Sequence, residues 1–163
     1  MENQERMNRS ENAAELMKAH RVNCAQAVIT AFCEELGLEK GLALRIALGF
    51  GGGTGGSGYI CGAVTRAYMV LGLLQNAADA EQARSEMRQL ISRFNEKFLA
   101  KRGALLCREL LGYDVSKPEQ VNIIREKNLF NTICPELVRD SIIILENEFM
   151  IKKDRPRLEN TLR

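Results

Sequence analysis

The sequence predicts an all-α fold, a single-domain helical bundle with a central glycine-rich loop, and three observations carry that prediction. Apolar residues recur at three- and four-residue steps along most of the chain. No strand-like alternation occurs beyond short Ile-rich runs such as Ile142–Leu145, which suit a buried helix equally well. The 163 residues make one ordinary domain, with no internal repeat and no composition shift to mark a boundary. Residues 1–12 read as a flexible N-terminal segment, 13–150 as the helical domain and 151–163 as a polar C-terminal tail.

Each element has its own signal. From Glu11 to Leu36 the apolar positions Leu16, Ala19, Val22, Ala27, Val28, Ala31 and Phe32 mark a helical stretch, interrupted at His20–Asn23 and capped by Gly37. A short apolar helix, Gly41–Leu48, leads into the glycine loop Gly49–Gly58. An apolar helix follows over Tyr59–Gln75, with Cys61 in its first turn. Asp79 opens a longer amphipathic helix to Lys101, with Met87, Leu90, Ile91, Phe94 and Phe98 inward, and Gly103 breaks it. Cys107–Leu111 forms a short helix ended by Gly112. Pro118 suits the first turn of a helix running to Lys127. The last helix begins at Cys134-Pro135 and continues through Ile142, Leu145 and Phe149, and Pro156 falls in the tail.

Composition excludes several function classes. Hydrophobic residues at 45% and charged residues at 27% fit a globular rather than a disordered chain. Aromatics are only 6% and Trp is absent, so the core is expected to be aliphatic. A net charge of +2 gives no electrostatic footprint for nucleic acid or a membrane surface. The polar start of the chain offers no signal peptide. The uncharged stretch Ile46–Thr65 carries eight glycines and is closed by Arg66, a poor membrane span. The expectation is a cytoplasmic protein, where widely spaced cysteines serve as buried thiols, metal ligands or redox groups rather than a disulfide framework.

The glycine loop matches the dinucleotide fingerprint twice, at Gly51-x-Gly53-x-x-Gly56 and Gly53-x-Gly55-x-x-Gly58. A tract this rich in glycine matches by chance, and the strand, βαβ unit and downstream acid that the motif needs are missing. Two readings of the loop stand: a tight crossing between packed helices, or a cradle of N–H groups around a thiolate, sulfide or anion, for which Gly51, Gly52, Gly53 and Gly62 are the candidates.

Four of the five cysteines fall at predicted helix starts. Cys24 follows the His20–Asn23 break, Cys61 the glycine loop and Cys107 follows Gly103, while Cys134 precedes a proline. Unpaired N–H groups and the positive end of the helix dipole favour thiolate there, the form that attacks disulfides and binds metals. Cys33, beside Phe32 and Leu36, reads as a core thiol. No CxxC pair occurs, so any joint site must be assembled by the fold.

The segments Asn23-Cys24-Ala25-Gln26-Ala27-Val28, Gly49-Phe50-Gly51-Gly52-Gly53, Cys61-Gly62-Ala63-Val64-Thr65, Leu106-Cys107-Arg108-Glu109-Leu110-Leu111-Gly112 and a late Cys134 come in an order that resembles the bacterial and archaeal redox-active family named for its C_GCAxxG_C_C pattern. The resemblance covers about Ala13 to Phe149. It places the characteristic cysteines on Cys24, Cys61, Cys107 and Cys134 and implies a redox role without an assigned reaction. It also brings an iron–sulfur cluster, zinc or no cofactor into consideration, and a redox partner or transporter-associated protein as partner. A related domain occurs in split-Soret cytochrome c, but without CxxCH no c-type haem is expected. Arg66 stands where the family motif closes with glycine. At five residues from Cys61 it points to a different helix face, so a packing role is favoured over thiolate stabilisation.

The remaining candidates read as ordinary. His20, the only histidine, could share a helix face with Cys24 as ligand or proton carrier, though a surface position is favoured. Glu34, Glu35, Glu146 and Glu148 read as solvated charge. Met69, Met87 and Met150 read as core, and Arg108-Glu109 reads equally as a thiolate partner or a surface ion pair. Two functions stand: four cysteines acting as electron-transfer ligands or thiol–disulfide pairs, or a non-enzymatic adaptor with inert thiols. A homodimer is considered because the apolar helices are many for one small core.

Overall fold

The structure, a computed structural model, describes residues 2–149. The expected tail, with Pro156, lies outside the described residues. Nine α-helices follow one another among them: α1 (Glu2–Lys18), α2 (Cys24–Thr30), α3 (Lys40–Ala47), α4 (Gly62–Leu74), α5 (Ala80–Arg102), α6 (Cys107–Leu111), α7 (Pro118–Glu126), α8 (Leu129–Thr132) and α9 (Cys134–Phe149). A 3₁₀ turn, Leu48–Phe50, extends α3 into the glycine loop. No strand occurs in this stretch, only one bridge pair between Ile60 and Leu106. The all-α, single-domain expectation therefore holds.

The helices start and stop where local chemistry directs. Asp79 caps α5 by accepting from the N–H groups of Glu81 and Gln82 at 2.9 Å, and Gly103 ends it. Pro118 occupies the first turn of α7, where its missing N–H leaves nothing unsatisfied. Thr30 ends α2 earlier than periodicity implies. Its hydroxyl donates back to the Gln26 carbonyl at 2.7 Å, and residues 31–37 continue as turns. The short α8 had no sequence signal strong enough to predict it. It begins after Asn128, whose backbone is left-handed (φ 56°), a conformation asparagine tolerates well.

The last helix is the centrepiece: α9 packs against α1, α2, α4, α5 and α8, and α2 also packs on α3 and α4. Val28, Phe32, Val64, Val70, Leu71, Phe94, Phe98, Leu137, Val138, Ile142 and Leu145 form the main core. The expectation that Glu35, Glu146 and Glu148 are solvated needs correcting. Glu146 on α9 is only 4% exposed and lies 3.3 Å from Arg9 of α1, which also bonds Glu35 at 2.7 Å. Neither acid is freely solvated, because α1 brings a guanidinium onto them. Glu148 is likewise held by Arg93 (2.9 Å) and Lys97 (3.1 Å) of α5. The same helix α1 runs back through the stretch 2–12 that the sequence assigns to a flexible segment, and Ser10 is already buried there.

Candidate functional site

Four separate chain segments converge on one place, and each is fixed by bonds that the sequence encodes locally. At the start of α2, Asn23 and Gln26 form a reciprocal capping box: the Gln26 N–H donates to Asn23 Oδ1 (2.9 Å) and the Asn23 N–H to Gln26 Oε1 (3.0 Å). The amide groups left over tie this end to α3 and its extension, since Asn23 Nδ2 donates to the Leu48 carbonyl and Gln26 Nε2 to that of Leu44, both at 3.0 Å. Cys24, the first residue of α2, is thereby locked in place. The Asn-x-x-Gln spacing is a helix-start signal written locally in the sequence.

Cys61 and Cys107 are held side by side. The Cys61 N–H donates to the Leu105 carbonyl at 2.9 Å, and the Cys107 N–H to the Tyr59 carbonyl at 2.7 Å, around the Ile60–Leu106 bridge. The glycine loop makes this approach possible. Residues 52–56 are all left-handed, with φ between 62° and 78°, a run that only glycine adopts without penalty. At Gly53 a Cβ would lie 2.6 Å from the Tyr59 carbonyl and 2.7 Å from Cys107 Cβ. Cys134 arrives from the other side as the first residue of α9, clustered with Cys107, Leu111 and Ile124.

The four thiols line a single cavity of about 670 Å³. Cys24, Cys61, Cys107 and Cys134 are 7, 3, 6 and 6% exposed, so the cavity is their route to solvent. Each stands at the first residue or the N-cap of its helix, where the sequence placed it. Cys33 belongs elsewhere, in a cluster with Ala25, Ile29, Ala43 and Ala47 beneath α3. All five thiols are free.

Within the site the cysteines are not equivalent. The Cys61 thiol hydrogen-bonds Cys24 and holds it down to about 7, against burial; N–H groups of Gly52, Ala25 and Ala63 add to the effect. Ala25 and Ala63 belong to the first turns of α2 and α4, so the Cys24 sulfur sits where two helix starts meet. Cys61, the donor, is pushed well above the ordinary thiol range by that bond and by burial. Burial pushes Cys107 up to about 12, and raises Cys134 strongly, with the negative charge of Cys24 adding to both. The arrangement thus biases Cys24 toward thiolate and Cys61, Cys107 and Cys134 toward the neutral thiol around one cavity.

The candidate glycines divide into two kinds. Gly51 and Gly52 reach the cavity wall. Gly53 and Gly62 permit close approaches: a Cβ at Gly62 would lie 2.7 Å from both Cys24 Sγ and the Phe50 carbonyl. One turn further along α4, on the same face, is Arg66. It is fully buried, its guanidinium stacked over the Phe50 ring at 3.6 Å, and Nη1 donates to Met69 Sδ. Among the described residues its Nε and Nη2 find no hydrogen-bond partner. Burial pulls Arg66 down to about 10 while the charge of Cys24 opposes the drop. Packing is part of its role, as expected. The relevant thiol, however, is Cys24 across the Gly62 contact rather than Cys61 along the helix.

The other candidates resolve simply. His20 is exposed, with left-handed backbone (φ 55°), on the cavity rim. Met69 is a partly exposed acceptor rather than core, because Arg66 draws its sulfur, whereas Met87 packs on the core as expected. Met150 lies outside the described residues. Arg108 lies over the Tyr59 ring at 5.2 Å and Glu109 is exposed. Among the described residues no helix is long and apolar enough to cross a membrane.

A helical domain that brings four cysteines from four helix starts around one cavity defines a cysteine-centred class of protein. The chain belongs to the family described as "Putative redox-active protein (C_GCAxxG_C_C)", whose profile matches residues 22–148. No curated protein and no solved structure shows significant similarity to it.

Proposed function

We propose that the protein is a thiol–disulfide oxidoreductase in which Cys24 is the attacking thiolate and Cys61 the thiol that completes the exchange. One observation carries this reading: Cys24, the first residue of α2, and Cys61, the N-cap of α4, line one cavity, and the Cβ position of Gly62, next to Cys61 in the chain, lies 2.7 Å from Cys24 Sγ. These neighbours favour the Cys24 thiolate, the form that attacks a disulfide. Cys24 attacks a substrate disulfide, forming a mixed disulfide and expelling one thiolate. Cys61 then loses its proton and attacks Cys24, closing the Cys24–Cys61 disulfide and releasing the second thiolate. Two electrons and two protons pass from the dithiol to the substrate, and Cys107 and Cys134, neutral and buried, form the cavity wall.

The trapping experiment is direct. Cys61→Ser should accumulate a mixed disulfide on Cys24 when treated with a low-mass disulfide, and Cys24→Ser should accumulate none. Equal labelling of Cys107 or Cys134 in either variant would reject the assignment, and uniformly slow reaction of every thiol would favour the inert adaptor.

The convergence of all four thiols on one cavity favours a second reading, ligation of an iron–sulfur cluster. As placed, no three His, Cys, Asp or Glu side chains among the described residues gather closely enough to hold a metal ion. Anaerobic purification with iron and sulfide analysis on the same sample decides between the two.

A further inference from the structure

The cavity that gives access to the thiols has a composition of its own. Its volume of about 670 Å³ falls within the ~300–1,000 Å³ usual for small-molecule sites. Met17, Leu48, Ile124, Phe130 and Leu137 give it an apolar wall. No aspartate or glutamate lines it, whereas Arg21 and Arg125 do. Both arginines are exposed, and among the described residues neither has a carboxylate within ion-pair distance. In a chain with 21 acidic residues against 23 basic ones, an acid-free cavity with two uncommitted guanidinium groups is a selective arrangement.

We infer that the cavity receives a small disulfide with an apolar body and an anionic end, its sulfurs at Cys24 and its anion at Arg21 and Arg125. This rests on the thiol–disulfide reading above and names its substrate class. Three features agree on it. The Cys24 sulfur lies behind a cavity mouth rather than on an open surface, which admits a slender molecule before a folded protein partner. The apolar wall accommodates methylene groups. Guanidinium groups at the rim bind carboxylates, with the paired N–H geometry that suits them. The reaction is the balanced exchange already given: one substrate disulfide bond breaks, the Cys24–Cys61 bond forms, and two small thiols leave.

Three symmetrical disulfides test the idea, dithiodipropionate (anionic), hydroxyethyl disulfide (neutral) and cystamine (cationic), with each rate divided by that of the same disulfide with a small neutral thiol so that leaving-group reactivity cancels. The rate of Cys24–Cys61 disulfide formation in the reduced full chain is followed by mass spectrometry. The expected order is anionic, neutral, cationic, with roughly fivefold between the first two, the factor that two exposed charge pairs of modest strength produce. The double variant Arg21→Glu, Arg125→Glu should reverse the order. Should it fail to fold by circular dichroism, Arg21→Gln and Arg125→Gln singly should each narrow the ratio. Equal rates for all three probes would overturn the anionic selectivity while leaving the dithiol chemistry intact. A folded protein whose Cys24–Cys61 disulfide forms with none of them would overturn the oxidoreductase reading together with this one.

Discussion

Replacing Gly62 by alanine isolates the contact on which both packing and reactivity turn. Gly62 opens α4, and alanine is preferred to glycine in a helix by up to about 1 kcal/mol, so propensity alone forecasts a more stable protein. The surroundings reverse the sign. The new Cβ would lie 2.7 Å from Cys24 Sγ, 2.7 Å from the Phe50 carbonyl and 3.1 Å from Ala25 Cβ, and a backbone carbonyl fixed between α3 and the glycine loop has little room to retreat. Overpacking of this kind costs about 1–3 kcal/mol, which leaves a net loss of up to about 2 kcal/mol. Gly72, on the same helix, is the internal control: no atom lies within 4 Å of its Cβ position, so Gly72→Ala should gain about 0.5–1 kcal/mol. At roughly 2–4 °C per kcal/mol for a chain of this size, Gly62→Ala should melt below Gly72→Ala by up to about 12 °C. Thermal unfolding of the reduced proteins measures the gap, and iodoacetamide alkylation at neutral pH should also slow in Gly62→Ala as the Cys24 sulfur is displaced from its N–H donors. A Gly62→Ala protein as stable as Gly72→Ala would refute the geometry.

Three further perturbations probe separate links. Alkylation of Cys24 should rise with pH through a midpoint near 7. The depressed value means that the thiolate, with the stability linked to it, is fully present above the ordinary thiol range of ~8.5 and is lost as pH falls through 7. Cys61→Ala should move the alkylation midpoint upward, and an unchanged midpoint would remove the hydrogen bond from the account. In the glycine loop, Gly53→Ala should cost more than about 3 kcal/mol, through left-handed strain and collision with Tyr59 and Cys107, whereas Thr54→Gly should gain about 1 kcal/mol, both read from denaturant midpoints. Arg66→Met should raise the unfolding midpoint by about 1–3 kcal/mol, by removing a buried guanidinium with two unsatisfied nitrogens, and at the same time raise the Cys24 alkylation midpoint. A fall in stability would show that stacking on Phe50 outweighs the desolvation cost.

What the sequence disclosed and what it hid follow from the range of the interactions involved. The placement of Cys24, Cys61, Cys107 and Cys134 was legible because helix starts are written locally: a break at His20–Asn23, a glycine tract, Gly103, and Pro135 after Cys134. That these starts share one cavity was not, because the contacts that assemble it, such as Cys61 with Leu105 and Cys107 with Tyr59, join segments far apart in sequence. The packing role of Arg66 was legible, but its neighbouring thiol was not. Measured along its own helix it lies away from Cys61, while the neighbour that matters, Cys24, sits on another helix across Gly62. Glu146 looked solvated because its partner Arg9 comes from the opposite end of the chain. The rim arginines carried no local signal either, since Arg21 and Arg125 lie far apart in sequence and line the same cavity only in the folded chain.

The most direct test of the central claim is peptide mapping of the reduced protein under graded oxidation, with free thiols alkylated at each step. The account predicts that the Cys24–Cys61 disulfide forms first, reversibly, while Cys33, Cys107 and Cys134 still carry the alkyl label. A Cys107–Cys134 disulfide appearing first, or Cys24 and Cys61 remaining reduced after the other thiols have reacted, would contradict it.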